Sequence, residues 1–292
     1  KVKFWEKYFL TRGREAFQRF INRGEKNKLL VMSIFKKYHI PTDLYFVGLI
    51  ESGYSVNATS VTKAKGPWQF MPGTAERYNL KMNKHVDERI SLVKSTEAAA
   101  NYLRDLHNIF GNWELVLSSY NAGEYGMIRR IVQGNTRNFY ELSKKDLIPK
   151  ETQHYVPKVL AAMNIYYNAA KYGFTIPEDK ESVYTKTKVL NLKNSYSLDN
   201  VSKTLNISKY DILALNPDLR SDRTPDVKNS SYTLYIPSQK NSSLAEMTPV
   251  LEPIKEPLKV ERKVASVSIN PFKKKKTQIH IVKKGEFLSK IA

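Results

Sequence analysis

Apolar residues recur every three to four positions between residues 5 and 174, which is the period of amphipathic α-helices. Near the start of the chain this stripe comprises Phe4, Tyr8, Phe17, Phe20, Ile21, Leu30, Ile34 and Tyr38. Further helices are predicted in residues 95–110, 113–123 and 151–173, whereas the alternation typical of strands is scarce. This part of the chain therefore predicts an α-helical domain.

One segment, LYFVGLIESGY from Leu44 to Tyr54, is apolar on every side of a helix and yet contains an acid. Leu44, Val47 and Glu51 share one helical stripe, and the residues between them are also apolar. Because a helix that is apolar all round is normally buried, we expect Glu51 at the end of a buried helix. Burial would raise the pKa of this carboxyl toward neutrality, as a general acid requires.

The pattern changes near residue 184. The segments YTKTKVLNL and SYTLYIPS alternate as strands do, and SLDNVSKTLNIS and KYDILALNP read as two short helices between them. Residues 184–238 therefore predict a strand–helix–helix–strand unit. Spaced prolines and lysines predict an extended linker over residues 239–278, and residues 279–292 read as the start of a second unit of the same kind.

Charge and composition limit the partners and the kinds of active site that the sequence predicts. The 292 residues carry a net charge of +20, which favours a polyanionic partner such as nucleic acid, an anionic membrane or an acidic cell-wall polymer. The absence of cysteine excludes disulfides, thiolate metal sites and cysteine nucleophiles. No histidine pairs with an acid at metal-ligand spacing and no phosphate-binding glycine motif occurs, so we expect no metal and no cofactor. No apolar run reaches the roughly 18 residues of a membrane span, and KVKFWEKYFL lacks the apolar core of a signal peptide.

The residues that follow Glu51 suit a sugar ligand. Residues 52–75 are rich in hydroxyls, amides and glycines, and they include Trp68 and Met71. Ordinary glycoside hydrolysis uses two carboxylates across the scissile bond, and Glu114, Glu124 and Glu151 are candidates for the second. If none of them reaches the site, the substrate must supply its own nucleophile. Glu51 would then act first as acid and afterwards as base.

Four motifs occur in a defined order: ESGY at 51–54, AKGPWQFMPGTA at 64–75, SSYNAG at 118–123 and ETQHYVPK at 151–158. Together they resemble the lysozyme-like catalytic domain of soluble-lytic-transglycosylase (SLT) type, with the membrane-bound lytic murein transglycosylase D branch as the most similar. The resemblance implies that Glu51 is the catalytic acid and base and that Tyr120 steers it. It implies a substrate-binding set of Ser60, Gly66, Gln69, Met71, Tyr120, Asn121 and Tyr155, with Trp68 also in contact with the sugar and Glu151 structural.

The activity implied is that of a carbon–oxygen lyase. It cleaves the β-1,4 bond between N-acetylmuramic acid and N-acetylglucosamine in peptidoglycan and closes a 1,6-anhydro ring without consuming water. The alternatives are a lysozyme-type muramidase and a non-catalytic peptidoglycan-binding scaffold. We expect glycan strands and no nucleic acid as partners, a monomer, and a place in the periplasm or cell envelope, with any anchor to the outer membrane in a segment outside this chain.

The unit at 184–238 resembles a LysM module, which binds glycans containing N-acetylglucosamine. ALNPDL at 214–219 and YTLYIP at 232–237 carry this resemblance, although SYSL at 195–198 replaces the usual Gly-Asp-Thr-Leu turn. The expected organisation is a mainly α protein with a small βααβ module. It comprises a helical extension over 1–30, the lysozyme-like catalytic domain over 31–175, the LysM-like module over 184–238, the linker over 239–278 and the start of a second LysM over 279–292.

Overall fold

The computed structural model describes residues 1–178, 182–227 and 231–238. Within them lie twelve α-helices and two strands: α1 (Val2–Leu10), α2 (Arg14–Lys37), α3 (Tyr45–Ser52), α4 (Pro72–Arg77), α5 (Leu92–Phe110), α6 (Trp113–Ala122), α7 (Glu124–Gly134), α8 (Phe139–Lys144), α9 (Lys150–Tyr167), α10 (Ala169–Tyr172), β1 (Thr187–Leu192), α11 (Leu198–Leu205), α12 (Lys209–Leu215) and β2 (Tyr232–Pro237). The predicted mainly α class is confirmed.

The main core is built around α3. This helix packs against α2 and α9, while α6 packs against both α5 and α9. The apolar stripes of these helices meet in one continuous cluster, whose fully buried members include Ile21, Phe35, Leu49, Leu103 and Leu106. The short apolar helix around which the others pack therefore lies where the hydrophobic pattern predicts it.

The N-terminal helices belong to the same core. The rings of Phe9 and Phe17 stack with centroids 4.5 Å apart. Gln18 donates to the backbone carbonyl of Thr175 over 2.6 Å, which ties α2 to the end of the helical part. The boundary predicted at residue 30 falls inside α2, a single helix of 24 residues. Residues 1–30 thus pack as part of the helical core.

The small module has the predicted strand–helix–helix–strand order. Strands β1 and β2 pair antiparallel from Thr187↔Pro237 to Leu192↔Tyr232. Ser197 and Ser208 cap α11 and α12 by accepting backbone N–H groups, as N-cap serines commonly do. The apolar faces of the two helices and the sheet form a second core.

The small module is packed on the helical part through residues 86–94. Val86 belongs to the core of the module, and the N–H of Asp87 donates to the carbonyl of Asp218 over 2.9 Å. Lys94 Nζ lies 2.8 Å from Asp218 Oδ2 and 3.0 Å from Glu88 Oε1. The hydroxyl of Tyr232 donates to the same Asp218 oxygen over 2.9 Å. A buried polar network therefore joins the two parts.

The predicted linker at 239–278 and the second unit at 279–292 lie outside the described residues. Among the helices that the structure describes, none has both the length and the apolar character needed to cross a membrane. Within the same residues no cluster of three or more histidine, aspartate or glutamate side chains could hold a metal ion.

Candidate active site

Glu51 is the one residue of α3 whose side chain is not buried; its exposure is intermediate, while the other seven residues are enclosed. The helix ends at Gly53, which adopts the left-handed conformation with φ +56° that glycine tolerates best. Arg23 of α2 donates to the carbonyls of Ser52 and Gly53, which satisfies backbone acceptors at the end of α3. The backbone that carries Glu51 is thus fixed from two sides.

The carboxyl of Glu51 has one hydrogen-bond partner among the described residues. The hydroxyl of Tyr155 donates to Glu51 Oε1 over 2.5 Å. Burial raises the pKa of Glu51 to about 7, against the lowering effects of the Tyr155 hydrogen bond and the Lys158 charge, and Glu151 raises it slightly further. Near neutral pH the group can therefore both hold a proton and release it, which suits a general acid and base.

Two hydroxyls, one from α3 and one from α6, hold the loop from Gly53 to Met71. Ser52 Oγ donates to the carbonyl of Pro67, and the hydroxyl of Tyr120 donates to the carbonyl of Trp68, each over 2.7 Å. Gly66 has φ +80°, and a Cβ added there would lie 2.0 Å from the carbonyl oxygen of Arg89. The glycine of this motif is thus required by the close approach of two backbone segments.

Four of the predicted binding residues line one cavity of about 270 Å³. They are Gln69, Met71, Tyr120 and Asn121. The Gln69 amide donates to the carbonyl of Gly66 over 2.9 Å, and Met71 keeps 43% of its surface exposed, as a contact residue in an open cleft would. Ser60 is not among the residues that line this cavity. Its Oγ accepts the N–H of Ala64 over 2.9 Å and shapes the preceding loop.

Two sequence expectations differ from the structure. Tyr120 was expected to steer Glu51, but its hydroxyl bonds to the carbonyl of Trp68, and Tyr155 is the tyrosine that bonds to Glu51. Trp68 was expected to contact the sugar, but it is fully buried and its indole donates to Thr96 Oγ1 over 2.9 Å. The tryptophan is a core residue because its large ring fills the space between Phe35 and Tyr54.

None of the three candidates for a second catalytic carboxylate has an environment like that of Glu51. Glu124 lines the cavity, yet it accepts hydrogen bonds from Arg77 and, over 3.0 Å, from Tyr102. Burial acts to raise the pKa of Glu124, but these hydrogen bonds and that of its own backbone N–H outweigh it and lower the pKa. Glu151 is exposed and accepts from the Asn121 amide over 3.1 Å. Glu114 lies in the first turn of α6, six residues before Tyr120.

Sequence reasoning missed two features of the site. One is the Arg77–Glu124–Tyr102 network in the cavity wall, whose members come from three different helices. The other is Lys158, the cation that acts on Glu51. Lys158 follows Tyr155 by three residues on α9, so the i, i+3 spacing was a signal that could have found it.

Part of the chain is similar to known proteins. Residues 32–143 match the family model of the transglycosylase SLT domain. The chain is 34% identical over 165 residues to the membrane-bound lytic murein transglycosylase D of Escherichia coli K12, a match that covers 55% of this chain and 36% of that relative's length. The chain thus spans little more than a third of the curated relative that it matches.

Two solved structures of lytic transglycosylases are similar to this chain. The lytic transglycosylase Slt of Pseudomonas aeruginosa matches with a TM-score of 0.41 and 22% identity, over 50% of this chain and 24% of that one. The 70 kDa soluble lytic transglycosylase of Escherichia coli matches with a TM-score of 0.39 and 23% identity, over 47% and 24%. Residues 32–143, the part of the chain that matches the transglycosylase SLT domain model, contain three of the four ordered motifs, and the fourth motif, at 151–158, follows them.

Proposed function

We propose that this chain is a peptidoglycan lytic transglycosylase that cleaves the bond between N-acetylmuramic acid and N-acetylglucosamine without water. The SLT domain and the name of the Escherichia coli relative support this activity. The observation that carries it is the state of Glu51: a half-buried acid with a pKa of about 7 and a hydrogen bond from Tyr155. The other carboxylates near it either have their own donors or are exposed.

One acid suffices for the proposed reaction because the substrate supplies the nucleophile. Glu51 gives its proton to the glycosidic oxygen as the bond to the anomeric carbon breaks. The C6 hydroxyl of the muramoyl residue then bonds through its oxygen to that carbon, and its proton returns to Glu51. The product is a 1,6-anhydro sugar and the enzyme is regenerated. Because the attacking hydroxyl is already attached, the gain in effective concentration is on the order of several kcal/mol.

The cavity lined by Gln69, Met71, Tyr120 and Asn121 is the proposed sugar-binding site; Glu51 is not among its lining residues, but the charge of Glu51 acts on Tyr120 in its wall. Gln69 and Asn121 offer amides, Met71 an exposed apolar contact and Tyr120 a ring to the glycan. Ser60 and Gly66 shape the loop that forms one wall. In this proposal Tyr155 is a catalytic residue rather than a sugar contact, because its hydroxyl touches the reacting carboxyl.

The small module is proposed to be a LysM-like glycan-binding unit. A second glycan contact on the same chain would raise the local concentration of the acid site on an insoluble polymer. The net charge of +20 suits a wall that carries peptide carboxylates. The relative is named as membrane-bound, and we propose a monomer in the periplasm or cell envelope for this chain as well.

The test is the mass of the products released from purified sacculi. The native chain should release muropeptides with anhydro ends, and Glu51→Gln should release none while it still sediments with sacculi. Glu114→Gln is the matched control, because Glu114 neither bonds to Tyr155 nor belongs to the groups that shift the pKa of Glu51. Products heavier by one water would instead identify a muramidase. Binding without release by the native chain would identify a scaffold.

A further inference from the structure

Lys158 is a lysine in an unusual position. It lies inside α9, directly after Pro157 and three residues after Tyr155. Its side chain has only intermediate exposure, although lysines are mostly found at the surface. Among the described residues no carboxylate lies within ion-pair distance of its ammonium group. The ammonium group is therefore partly desolvated without a bonded counter-charge, which costs free energy. Such a cost suggests that the charge has a function.

The N-terminal helix holds this ammonium group. The ring centroid of Trp5 lies 5.2 Å from Lys158 Nζ, within the range of a cation–π interaction. Lys158 lines a cavity of about 500 Å³ together with aromatic rings of α1 and α2. Ile50 lines the same cavity, and it directly precedes Glu51 in α3. The cation thus lies between the N-terminal helix and the helix that carries the acid.

The titratable and charged groups around Glu51 and Lys158 come from three parts of the fold. Tyr155, Lys158 and Glu151 of α9 act on Glu51, and Glu51 in turn raises the pKa of the partly buried Tyr120 of α6. Desolvation lowers the pKa of Lys158, while Glu51 and Glu151 raise it. From the turn between α1 and α2, Arg12 lines the same cavity as Lys158. Among all these groups Lys158 is the cation that lowers the pKa of Glu51.

We propose that Lys158 is a positioning residue for the proposed reaction: its ammonium group, held by Trp5, stabilises the Glu51 carboxylate through space after that group has given up its proton. This inference rests on the proposed function. It also gives α1 a role in the active site, because Trp5 of α1 fixes the position of the Lys158 ammonium group.

Lys158 can play this role because its ammonium group is not in direct contact with the Glu51 carboxyl. A cation in direct contact lowers the pKa of a carboxyl by about 1–3 units, which would leave Glu51 ionised at neutral pH and unable to protonate the leaving oxygen. With no cation near, the carboxylate formed in the first step would be too costly in its half-buried place. The Tyr155 hydroxyl bonds the carboxyl directly, and Lys158 adds a charge that does not compete for that bond.

The test is a titration of the Glu51 carboxyl by carbon-13 NMR in the whole chain, with the signal identified by its loss in Glu51→Gln. In Lys158→Met the midpoint should rise by about one pH unit, since a neighbouring opposite charge shifts a carboxyl by about that amount. Lys158→Arg should restore the native midpoint. Trp5→Leu should raise it by less, because the charge remains but loses its support. An unchanged midpoint in folded Lys158→Met would overturn the proposal.

Turnover separates this inference from the proposed function. With sacculi as substrate, Lys158→Met should lower kcat about tenfold, which equals one pKa unit of carboxylate stabilisation, with little change in KM. The alkaline limb of the pH–rate profile of Lys158→Met should move to higher pH. If the native chain shows no turnover while the Glu51 midpoint is still shifted in Lys158→Met, the proposed function alone is refuted. If Lys158→Met does not fold, Lys158→Gln and Trp5→Leu decide the question by the same titration.

Discussion

Tyr155 donates a 2.5 Å hydrogen bond to Glu51, across 104 residues of sequence. The proposed acid and the group that orients it therefore come from α3 and α9, and their contact exists only when both helices are packed on the common core. The hydrogen bond lowers the pKa of Glu51 against the larger raising effect of burial. A single hydroxyl thus helps to place this carboxyl near neutrality.

Removal of that hydroxyl gives the first prediction. In Tyr155→Phe the pKa of Glu51 should rise above its native value of about 7, because the carboxylate loses its donor while the burial remains. A hydrogen bond to a charged group contributes about 1.5–3 kcal/mol, so kcat should fall about tenfold or more. The measurement is the pH–rate profile on sacculi, whose alkaline limb should move upward.

Tyr78→Phe is the matched control for this change. Its hydroxyl donates to Asp105 over 3.0 Å, away from Glu51. The control should therefore keep the native profile. An identical profile for Tyr155→Phe would mean that the bond to Glu51 has no part in the reaction.

Glu51 should also make the stability of the fold depend on pH. Its pKa is about 7 in the folded chain against an ordinary value of 4.5. Between these values the folded protein binds more protons than the unfolded chain, so the free energy of unfolding falls as pH rises through this window and stays lower above it. The shift corresponds to at most about 3 kcal/mol, reduced because the side chain keeps some contact with water.

Glu51→Gln should therefore be more stable than the native chain at pH 8, by about 1–3 kcal/mol, and equally stable at pH 4. Urea unfolding at pH 4, 6 and 8 measures this difference. The value at pH 4 serves as the internal reference, since Glu51 is mostly protonated in both folded and unfolded chains there. A gap that does not change with pH would contradict the burial of an ionisable acid at this position.

The helical fold and the candidate acid Glu51 could be predicted from the sequence, whereas the hydrogen-bond partners of the site residues could not. Helical periodicity placed the helices, and an apolar segment that ends in an acid pointed to Glu51 without any structure. Such patterns report which face of an element is buried. The roles of Tyr120 and Tyr155 could not be told apart, because both are tyrosines near the ends of helices and only the packing of α6 and α9 decides which hydroxyl meets Glu51.

Trp68 illustrates a second limit. An aromatic residue in a sugar-binding motif can face the ligand or the core, and one-dimensional pattern does not separate the two. Here the neighbouring Met71 is exposed and Trp68 is enclosed, because its indole meets Thr96 of α5. The role of Lys158 depends on Trp5, which lies more than 150 residues earlier, and no local spacing reveals such a contact.

Gly66 should be far less tolerant of a side chain than Gly111. Both have positive φ, +80° and +75°, so alanine meets a similar backbone penalty of about 1–2 kcal/mol at either position. At Gly66 the new Cβ would also lie 2.0 Å from the carbonyl oxygen of Arg89, whereas at Gly111 it meets nothing within 4 Å. Gly66→Ala should therefore cost about 1–3 kcal/mol more than Gly111→Ala in urea unfolding. Equal losses would show that the two backbone segments can separate freely.

Lys94 should be required for the attachment of the small module. Its ammonium group is the shared partner of two buried carboxylates, Glu88 and Asp218. Lys94→Met leaves both without their cation, which should cost about 3–5 kcal/mol in the free energy of unfolding. Lys37→Met is the control, because the ion pair of Lys37 with Glu97 is largely exposed and should cost about 0–1 kcal/mol.

A double variant checks the origin of that loss. Asp218→Asn in the Lys94→Met background removes one of the stranded charges, so part of the stability should return. Thermal unfolding of the four chains measures this interaction energy. Additive losses would show that Lys94 acts through its packing on the Tyr232 ring, which lies 3.8 Å from the ammonium group, and not through its charge.

Helix α3 has a consequence for how activity is gained when the chain folds. Eight residues make barely two turns, too few for a helix to persist in water without tertiary support. The segment should acquire its shape only when its neighbours close around it, so a half-assembled molecule would present neither the partly desolvated carboxyl nor its phenolic partner. Recovery of bond cleavage after dilution from denaturant should accordingly report the last cooperative step of assembly rather than any early collapse.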